Sequence, residues 1–290
     1  MDRPVTDSPL KTFFDLVKIE HSIFALPFAY VGAFLAAGGV PSIGQLLWIT
    51  LAMVSARTAG MSLNRLIDEK FDAKNPRTAA RPLPRGLISR RQVWALTIVS
   101  LALLVISAAL LNPLCLALSP LAVGLLFLYS YLKRYTAWTH VGLGLVQACA
   151  PIGAWLAIKP QLSAPPLLLG AAILFWIGGF DILYALQDVE FDRNEGLFSI
   201  PSRLGIVPAL ALSALFHGAT IGALLGAGMA LNRGPIYLLG MGAIALILLV
   251  EHCIVTPRNL TRINLAFFTL NGWVGVIFLA SVTADLFLHG

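Results

Sequence analysis

Two sets of polar residues have a spacing that could do chemistry. Asn64, Asp68 and Asp72 follow one another at intervals of four, and Asp181, Asp188 and Asp192 at intervals of seven and four. On an α-helix a step of four residues advances about 40°, so each set falls along one helical stripe. Arg57 lies seven residues before Asn64, on nearly the same stripe and one to two turns away. Taken singly, these residues have ordinary readings: an Asp-x-x-x-Asp pair at a helix end is usually solvated, an arginine can snorkel to an interface, and Asp181 can bond a neighbouring helix. Together they are harder to pass over. Four or five carboxylates facing one another repel strongly at neutral pH and require a cation. Zinc or a soft metal would ask for Cys or His, and neither set offers one. Oxygen ligands suit Mg²⁺, which binds through a few carboxylates and completes its shell with phosphate oxygens. Arg77 and Arg81, in the stretch Arg77-Thr78-Ala79-Ala80-Arg81-Pro82-Leu83-Pro84, add forked donors for phosphate. Mg²⁺ ligands and arginines above an apolar cavity describe a binder of a lipid diphosphate.

The elements that must position these residues follow from composition. The 290 residues are 58% hydrophobic and 12% charged, against roughly 25% charged in soluble domains, and the mean hydropathy is +0.83. Such a chain in water would expose large apolar patches, so it belongs in a bilayer. Apolar runs fall at about 22–39, 44–64, 92–111, 113–131, 138–158, 164–187, 206–230, 235–255 and 265–287, each near the roughly 20 residues a spanning helix needs. Only helices fit, because alternating strand patterns are absent and a bilayer tolerates no unpaired backbone. The expected fold is therefore all-α, with about nine transmembrane helices around one central cavity.

Lys and Arg set the orientation. Eight lie between Arg65 and Arg91, and most others fall at the N-terminus, Lys133-Arg134, Arg193 with Arg203, and Arg258 with Arg262. In a nine-span arrangement all of these share one side, and the opposite connections carry only Lys159 and Arg233. The positive-inside tendency then puts the N-terminus and the loops at 64–91 and 181–205 in the cytoplasm. The same asymmetry accounts for the net charge of +6, and no basic patch interleaved with aromatics points to nucleic acid. The first residues mix both charge signs without an apolar core, so no cleavable signal is expected. Residues 1–19 read as a short cytoplasmic segment and 20–290 as one transmembrane domain. Cys115, Cys149 and Cys253 lie in separate apolar runs and suggest neither disulfide nor metal site.

The two polar loops also resemble one another. Asp68-Glu69-Lys70-Phe71-Asp72 echoes Asp188-Val189-Glu190-Phe191-Asp192, as in a degenerate repeat whose halves face a shared cavity. A third feature, Tyr129-Ser130-Tyr131-Leu132-Lys133-Arg134, closes the fourth apolar run. On its own it is compatible with an interfacial aromatic and basic anchor. Carboxylates in helical repeats also occur in ion-coupled transporters, but there the broken helices sit mid-membrane. Here the acids gather at helix ends and are followed by arginines.

With these residues in view, the sequence resembles the UbiA superfamily of intramembrane aromatic prenyltransferases. The resemblance rests on Asn64-x-x-x-Asp68-x-x-x-Asp72, Arg77-Thr-x-x-Arg81-Pro-Leu83, Tyr129-x-x-x-Lys133 and Asp181-x-x-Tyr184-Ala185-x-x-Asp188-x-x-x-Asp192. The last is trailed by Ser199-Ile200-Pro201-Ser202-Arg203-Leu204-Gly205. Order and spacing extend over most of the chain. Departures are modest: Arg65 stands where many relatives carry Asp, and the second motif has Val189-Glu190-Phe191 at its middle.

The resemblance implies a Mg²⁺-dependent transfer of a polyprenyl group from a prenyl diphosphate to the ring of a carboxylated phenol. 4-Hydroxybenzoate (ubiquinone route) is the leading acceptor and a dihydroxynaphthoate (menaquinone route) the alternative. It implies metal binding by Asp68, Asp72, Asp188 and Asp192, and diphosphate binding by Asn64, Arg77, Arg81 and Lys133. Tyr129 would lie near the allylic end, Asp181 is a candidate base, and Arg57 or Arg134 would pair the acceptor carboxylate. The expected setting is a bacterial-type inner membrane.

Overall fold

A computed structural model of the chain describes residues 8–17 and 22–289. The short helix α1 (Pro9–Val17) comes first. The long helices follow: α2 (Ser22–Ala37), α3 (Ile43–Lys74), α4 (Arg90–Leu111), α5 (Pro113–Leu132), α6 (Thr139–Ile158) and α7 (Ala164–Ala185). A 3₁₀ turn at Leu186–Asp188 leads to two short helices, α8 (Val189–Asn194) and α9 (Ile200–Leu204), and then to α10 (Ile206–Ala230) and α11 (Pro235–Ile254). The last helix, α12 (Asn271–His289), is entered through a π-helical turn at Leu265–Leu270. Among the described residues eight helices are long and apolar enough to cross a membrane, and Leu26–Ala37 in α2 is a shorter apolar one. These nine match the nine expected runs. The first terminal segment is only partly open to view: residues 1–7 and 18–21 lie outside the described residues. Its described part is the amphipathic α1, whose Leu16 and Val17 pack on Leu66, Leu83 and Val93 under the first acidic loop.

The helix limits follow local chemistry. Ser42 and Ser89 each form a capping box, with Gln45 and Gln92, to start α3 and α4. Asn112 serves two helices at once. Its N–H donates to Ala108 O (3.3 Å) to end α4, its Oδ1 accepts from Cys115 N (2.9 Å) to begin α5, and its Nδ2 donates to Leu156 O (2.8 Å) on α6. With Pro113 at the first helical position, Asn-Pro is both a stop and a start.

The core is aromatic and lies between α2, α7, α11 and α12. Phe28 packs on Trp176 (ring centroids 4.7 Å) and on Phe278 (5.7 Å), and Tyr237 donates its hydroxyl to Leu224 O (2.6 Å). Large apolar side chains such as Leu215, Leu239, Ile98 and Phe287 point outward, each more than three-fifths exposed, as lipid-facing residues do. A polar network is buried in the same bundle. Trp176 Nε1 donates to Asn271 Oδ1 (2.7 Å), and Asn271 Nδ2 donates to Glu251 Oε1 (3.0 Å) and to Ala266 O (3.0 Å). Ala266 O also accepts the backbone N–H of Asn271 at the end of the π turn, so Asn271 bonds that carbonyl through both its backbone and its side chain.

Helix α6 is held close to both neighbours by missing side chains. A Cβ on Gly144 would sit 2.3 Å from Leu174 O on α7, and one on Gly32 would sit 2.3 Å from Pro151 O on α6. Backbone cannot yield as a flexible side chain can, so overpacking here forces the helices apart. Gly144→Ala is expected to lower the thermal midpoint of the purified protein by roughly 3–10 °C. Thermal unfolding in detergent measures it, and an unchanged midpoint would mean that α6 and α7 separate without loss.

One expectation needs correction. Asp181, Asp188 and Asp192 do not share one unbroken helix, because α7 ends at Ala185 and Asp188 closes a 3₁₀ turn before α8 begins. A 3₁₀ turn advances about 120° per residue rather than 100°, so Asp188 is rotated by roughly 60° relative to the simple stripe. The first stripe is a true one: α3 is 32 residues long, about 48 Å at 1.5 Å per residue. It therefore outreaches a hydrocarbon core of about 30 Å and carries Asn64, Asp68 and Asp72 in its final third.

Candidate active site

The acidic stripe of α3 is bonded from its own side and from α5. Asn64 Nδ2 donates to Asp68 Oδ2 (2.8 Å), and Arg65 Nη1 donates to Asn64 Oδ1 (3.2 Å) while lying 4.0 Å from Asp72 Oδ2. Arg81 Nη1 bonds both Asp72 oxygens (2.6 and 2.8 Å), and Thr78 Oγ1 donates to Asp72 O (3.0 Å). The loop after α3 therefore folds back over its own motif. Arg134, just past α5, donates to Ile67 O and lies 3.4 Å from Asp68 Oδ1, with its guanidinium over the rings of Phe71 and Tyr131.

The same loop reaches the second set. Arg77 binds Asp188 at two points, Nε to Oδ1 (3.0 Å) and Nη2 to Oδ2 (2.5 Å), and Asn75 Nδ2 adds a third bond to Oδ1 (3.0 Å). Burial works against the Arg77 charge, but the bonds and field of Asp188 outweigh it and hold the guanidinium pKa above its ordinary value. Arg77 Nη1 also donates to Tyr184 OH (3.1 Å), and the Tyr184 ring meets Phe268 of the π turn edge-on at 6.3 Å. Asp192 is fully buried between Lys133 Nζ (2.8 Å) and Ser199 Oγ (2.9 Å). Lys74 pairs with Glu195 at 2.6 Å on the rim. Asp181 Oδ2 lies 2.7 Å from His140 Nδ1. Tyr129, near the end of α5, is close enough to Asp181, Asp68, Arg57 and Arg65 to feel their charges.

The structure thus brings Asn64, Asp68, Asp72, Arg77, Arg81, Lys133, Asp188 and Asp192 to one end of the bundle, with Asp181, Tyr129 and Arg57 associated with it. One inference from residue types changes. The carboxylates do not simply confront one another and wait for a metal: Asp72 is matched with Arg81, Asp188 with Arg77, Asp192 with Lys133, and Asp68 with Arg134. Opposite charge within about 4 Å relieves the repulsion. Arg134, expected with Arg57 as one of two candidate readers of the acceptor carboxylate, donates to Ile67 O and lies 3.4 Å from Asp68 Oδ1.

Ser199, from the stretch trailing the second motif, completes the arrangement with Asn75 and His140, which spacing does not single out. Asn75 carries no charge and sits in no stripe. His140 lies on a different helix from its partner, so only the fold unites them.

The donor set fits Mg²⁺. All the candidate ligands are carboxylate or amide oxygens, the hard donors that ion prefers. Among the described residues no three His, Cys, Asp or Glu side chains form a ready-made metal cluster. Mg²⁺ needs no such cage, because it takes one or two carboxylates and fills its shell from phosphate and water.

Comparison with known proteins agrees with this geometry. Residues 25–279 match the UbiA prenyltransferase family. The chain is 33% identical over 276 residues to a 4-hydroxybenzoate octaprenyltransferase of Azotobacter vinelandii, covering 94% of this chain and 93% of that one. It is 32% identical over 255 residues to the protein of that name from Pseudomonas aeruginosa, covering 88% and 86%. The fold superposes on the apo structure of a UbiA homolog from Aeropyrum pernix K1 with a TM-score of 0.84 and 36% identity, over 92% of this chain and 98% of that one. A UbiA homolog from Archaeoglobus fulgidus bound to GPP and Mg²⁺ shares the fold at a TM-score of 0.71 and 22% identity, over 96% and 100% of the two chains. An acid-lined end built from two repeated motifs on an all-helical membrane bundle, with a family match across 255 residues, makes this chain a membrane prenyltransferase of the UbiA family.

Proposed function

We propose that the protein transfers a polyprenyl group from a prenyl diphosphate to the ring of 4-hydroxybenzoate, with Mg²⁺, at the cytoplasmic face of a bacterial-type inner membrane. The observation that carries this reading is the joining of the two acidic motifs through arginine and lysine, Arg77 to Asp188 and Lys133 to Asp192, above the bilayer-embedded half of the bundle. The relatives named for 4-hydroxybenzoate prenylation support that acceptor.

In this reading Arg77, Arg81 and Lys133 exchange their carboxylate partners for diphosphate oxygens, and Asn64 adds an amide donor. Asp72, Asp188 and Asp192, released from those cations, would hold Mg²⁺ together with Asp68, whose partner in the structure is Arg134. The chemistry Mg²⁺ supplies when bound is neutralisation of the departing diphosphate. The arginines and Lys133 stabilise the same developing charge as the allylic C–O bond lengthens. Tyr129 would face the positive prenyl carbon, and the apolar bundle would keep water from it. The ring carbon ortho to the phenol attacks, and Asp181 accepts the ring proton. The prenyl tail extends along the helices or into lipid.

Arg57 is the reader of the acceptor carboxylate. It lies deeper than the diphosphate set on the α3 stripe and shares the surroundings of Tyr129. A carboxylate entering a low-dielectric cavity needs a well-placed cation, and a hydrogen bond to a charged group contributes about 1.5–3 kcal/mol. Arg57→Ala is therefore expected to raise KM for the aromatic acid about 10- to 150-fold while changing KM for the prenyl diphosphate little. A methyl-ester acceptor that lost as much would remove this assignment.

Product analysis tests the whole reading. Purified protein in lipid discs, given a prenyl diphosphate and Mg²⁺, should yield a prenylated 4-hydroxybenzoate. Preference for a dihydroxynaphthoate would move the assignment to the menaquinone route, and no product from any aromatic acid would end it. Cysteine labelling near 75 and 195 should report the cytoplasm at both places.

A further inference from the structure

The ring proton must leave through a group held still against the acceptor, and the structure contains such a holder outside the two acidic motifs. His140 is the second residue of α6 and is only 2% exposed. Its Nδ1 lies 2.7 Å from Asp181 Oδ2, and its Nε2 lies 3.2 Å from the backbone N of Ile200. A backbone N–H can only donate, so Nε2 must keep its lone pair and the ring proton resides on Nδ1. His140 is then neutral and donates to Asp181. The tautomer is set by the chain itself. The Asp181 side chain is 25% exposed whereas His140 is sealed, so the carboxylate is the open member of the pair.

The backbone that fixes His140 is tied to the diphosphate side as well. Phe198 N donates to Lys133 O (2.8 Å), Ser199 Oγ donates to Asp192 Oδ2 (2.9 Å), and Ile200 N donates to His140. Three consecutive residues therefore touch the lysine segment, a buried acid of the second motif and the holder of Asp181.

We propose that His140 is the positioning residue for Asp181, locked by the Phe198–Ile200 strap in the tautomer that donates to the carboxylate. This rests on the functional reading above. As the new C–C bond forms between the allylic carbon and the ring carbon, the C–O bond breaks and its electron pair leaves with the diphosphate. The ring C–H bond then breaks, its electrons restore aromaticity, and the proton passes to an Asp181 oxygen. Asp181 later releases it to water. With Oδ2 held by His140, Asp181 meets the ring in one orientation, and the second imidazole nitrogen is engaged by the Ile200 N–H.

The test compares His140→Ala and His140→Asn with wild type, using 4-hydroxybenzoate and its ring-deuterated form. Asn places an amide donor near the Nδ1 position and loses the Ile200 bond, so it separates the two contacts. The alanine variant is expected to lose about 10- to 100-fold in kcat, to keep its KM for prenyl diphosphate, and to show a larger ring-deuterium isotope effect than wild type. The asparagine variant should recover most of kcat and a wild-type isotope effect. Equal losses in both variants, accompanied by a lowered thermal midpoint and an unchanged isotope effect, would make His140 a structural strut and overturn the proposal. So would an alanine variant with wild-type kcat. A wild-type protein that makes no prenylated ring product would instead overturn the functional reading, and this inference with it.

Discussion

Asp188→Asn is expected to lower kcat by about a thousandfold while the protein still inserts and unfolds near the wild-type temperature. The substitution preserves shape and one acceptor oxygen. It removes the charge that draws Arg77 and Asn75 together across the two motifs. Loss of one preorganised electrostatic partner of a reacting group commonly costs 10²- to 10³-fold, and in the proposed function Asp188 would have two such duties, to Arg77 and to the metal. A double-mutant cycle with Arg77→Met separates them. If Asp188 acted only by holding Arg77, the double variant would be no slower than Arg77→Met alone, because residues in contact do not add. The expected result is a further large loss in the double variant. An Asp188→Asn protein with more than a tenth of wild-type turnover would remove the diphosphate-activation role from this residue.

Chelation should abolish turnover altogether, and Mg²⁺ should restore it. The argument is one of charge. Releasing Asp68, Asp72, Asp188 and Asp192 from their basic partners leaves four carboxylates near a bound diphosphate, an arrangement that cannot persist without a divalent cation. Ca²⁺, which prefers longer bonds and more ligands, should restore less activity than Mg²⁺ at equal concentration. The measurement is initial rate against free metal after exhaustive dialysis with EDTA. Full turnover in the chelator would show that Arg77, Arg81 and Lys133 suffice on their own.

Much of this molecule could be read from its letters, and the physical reason is the bilayer. A span must be apolar for about 20 residues and must be a helix, so the nine runs and their Asn, Gly and Pro breaks mark α2 to α7 and α10 to α12 within a few residues. The α3 stripe was equally plain, because four-residue spacing on one helix survives folding unchanged. Three things were not legible. The 3₁₀ turn before Asp188 carries no composition signal, since Leu186-Gln187-Asp188 would serve an α-helix as well. The pairing of each acid with a base depends on helices distant in sequence, as with Arg77 and Asp188, 111 residues apart. His140 lay unnoticed near the start of an apolar run, where a lone histidine has no pattern to betray it.

The acid–base pairing of the site has a thermodynamic consequence. Metal arriving alone would take Asp72 or Asp188 and leave Arg81 or Arg77 without a counter-charge; diphosphate arriving alone would do the reverse. Only when both arrive does every charge regain a partner. In the proposed function the two ligands would therefore be coupled, and because coupling between binding equilibria is reciprocal, the factor by which Mg²⁺ tightens diphosphate binding would equal the factor by which diphosphate tightens Mg²⁺. Calorimetric titration in both orders measures that factor. In the proposed function these salt bridges would act as a threshold on ligand identity: a free phosphate monoester or a stray cation would face the full penalty of a broken pair, and a metal-bound prenyl diphosphate would not.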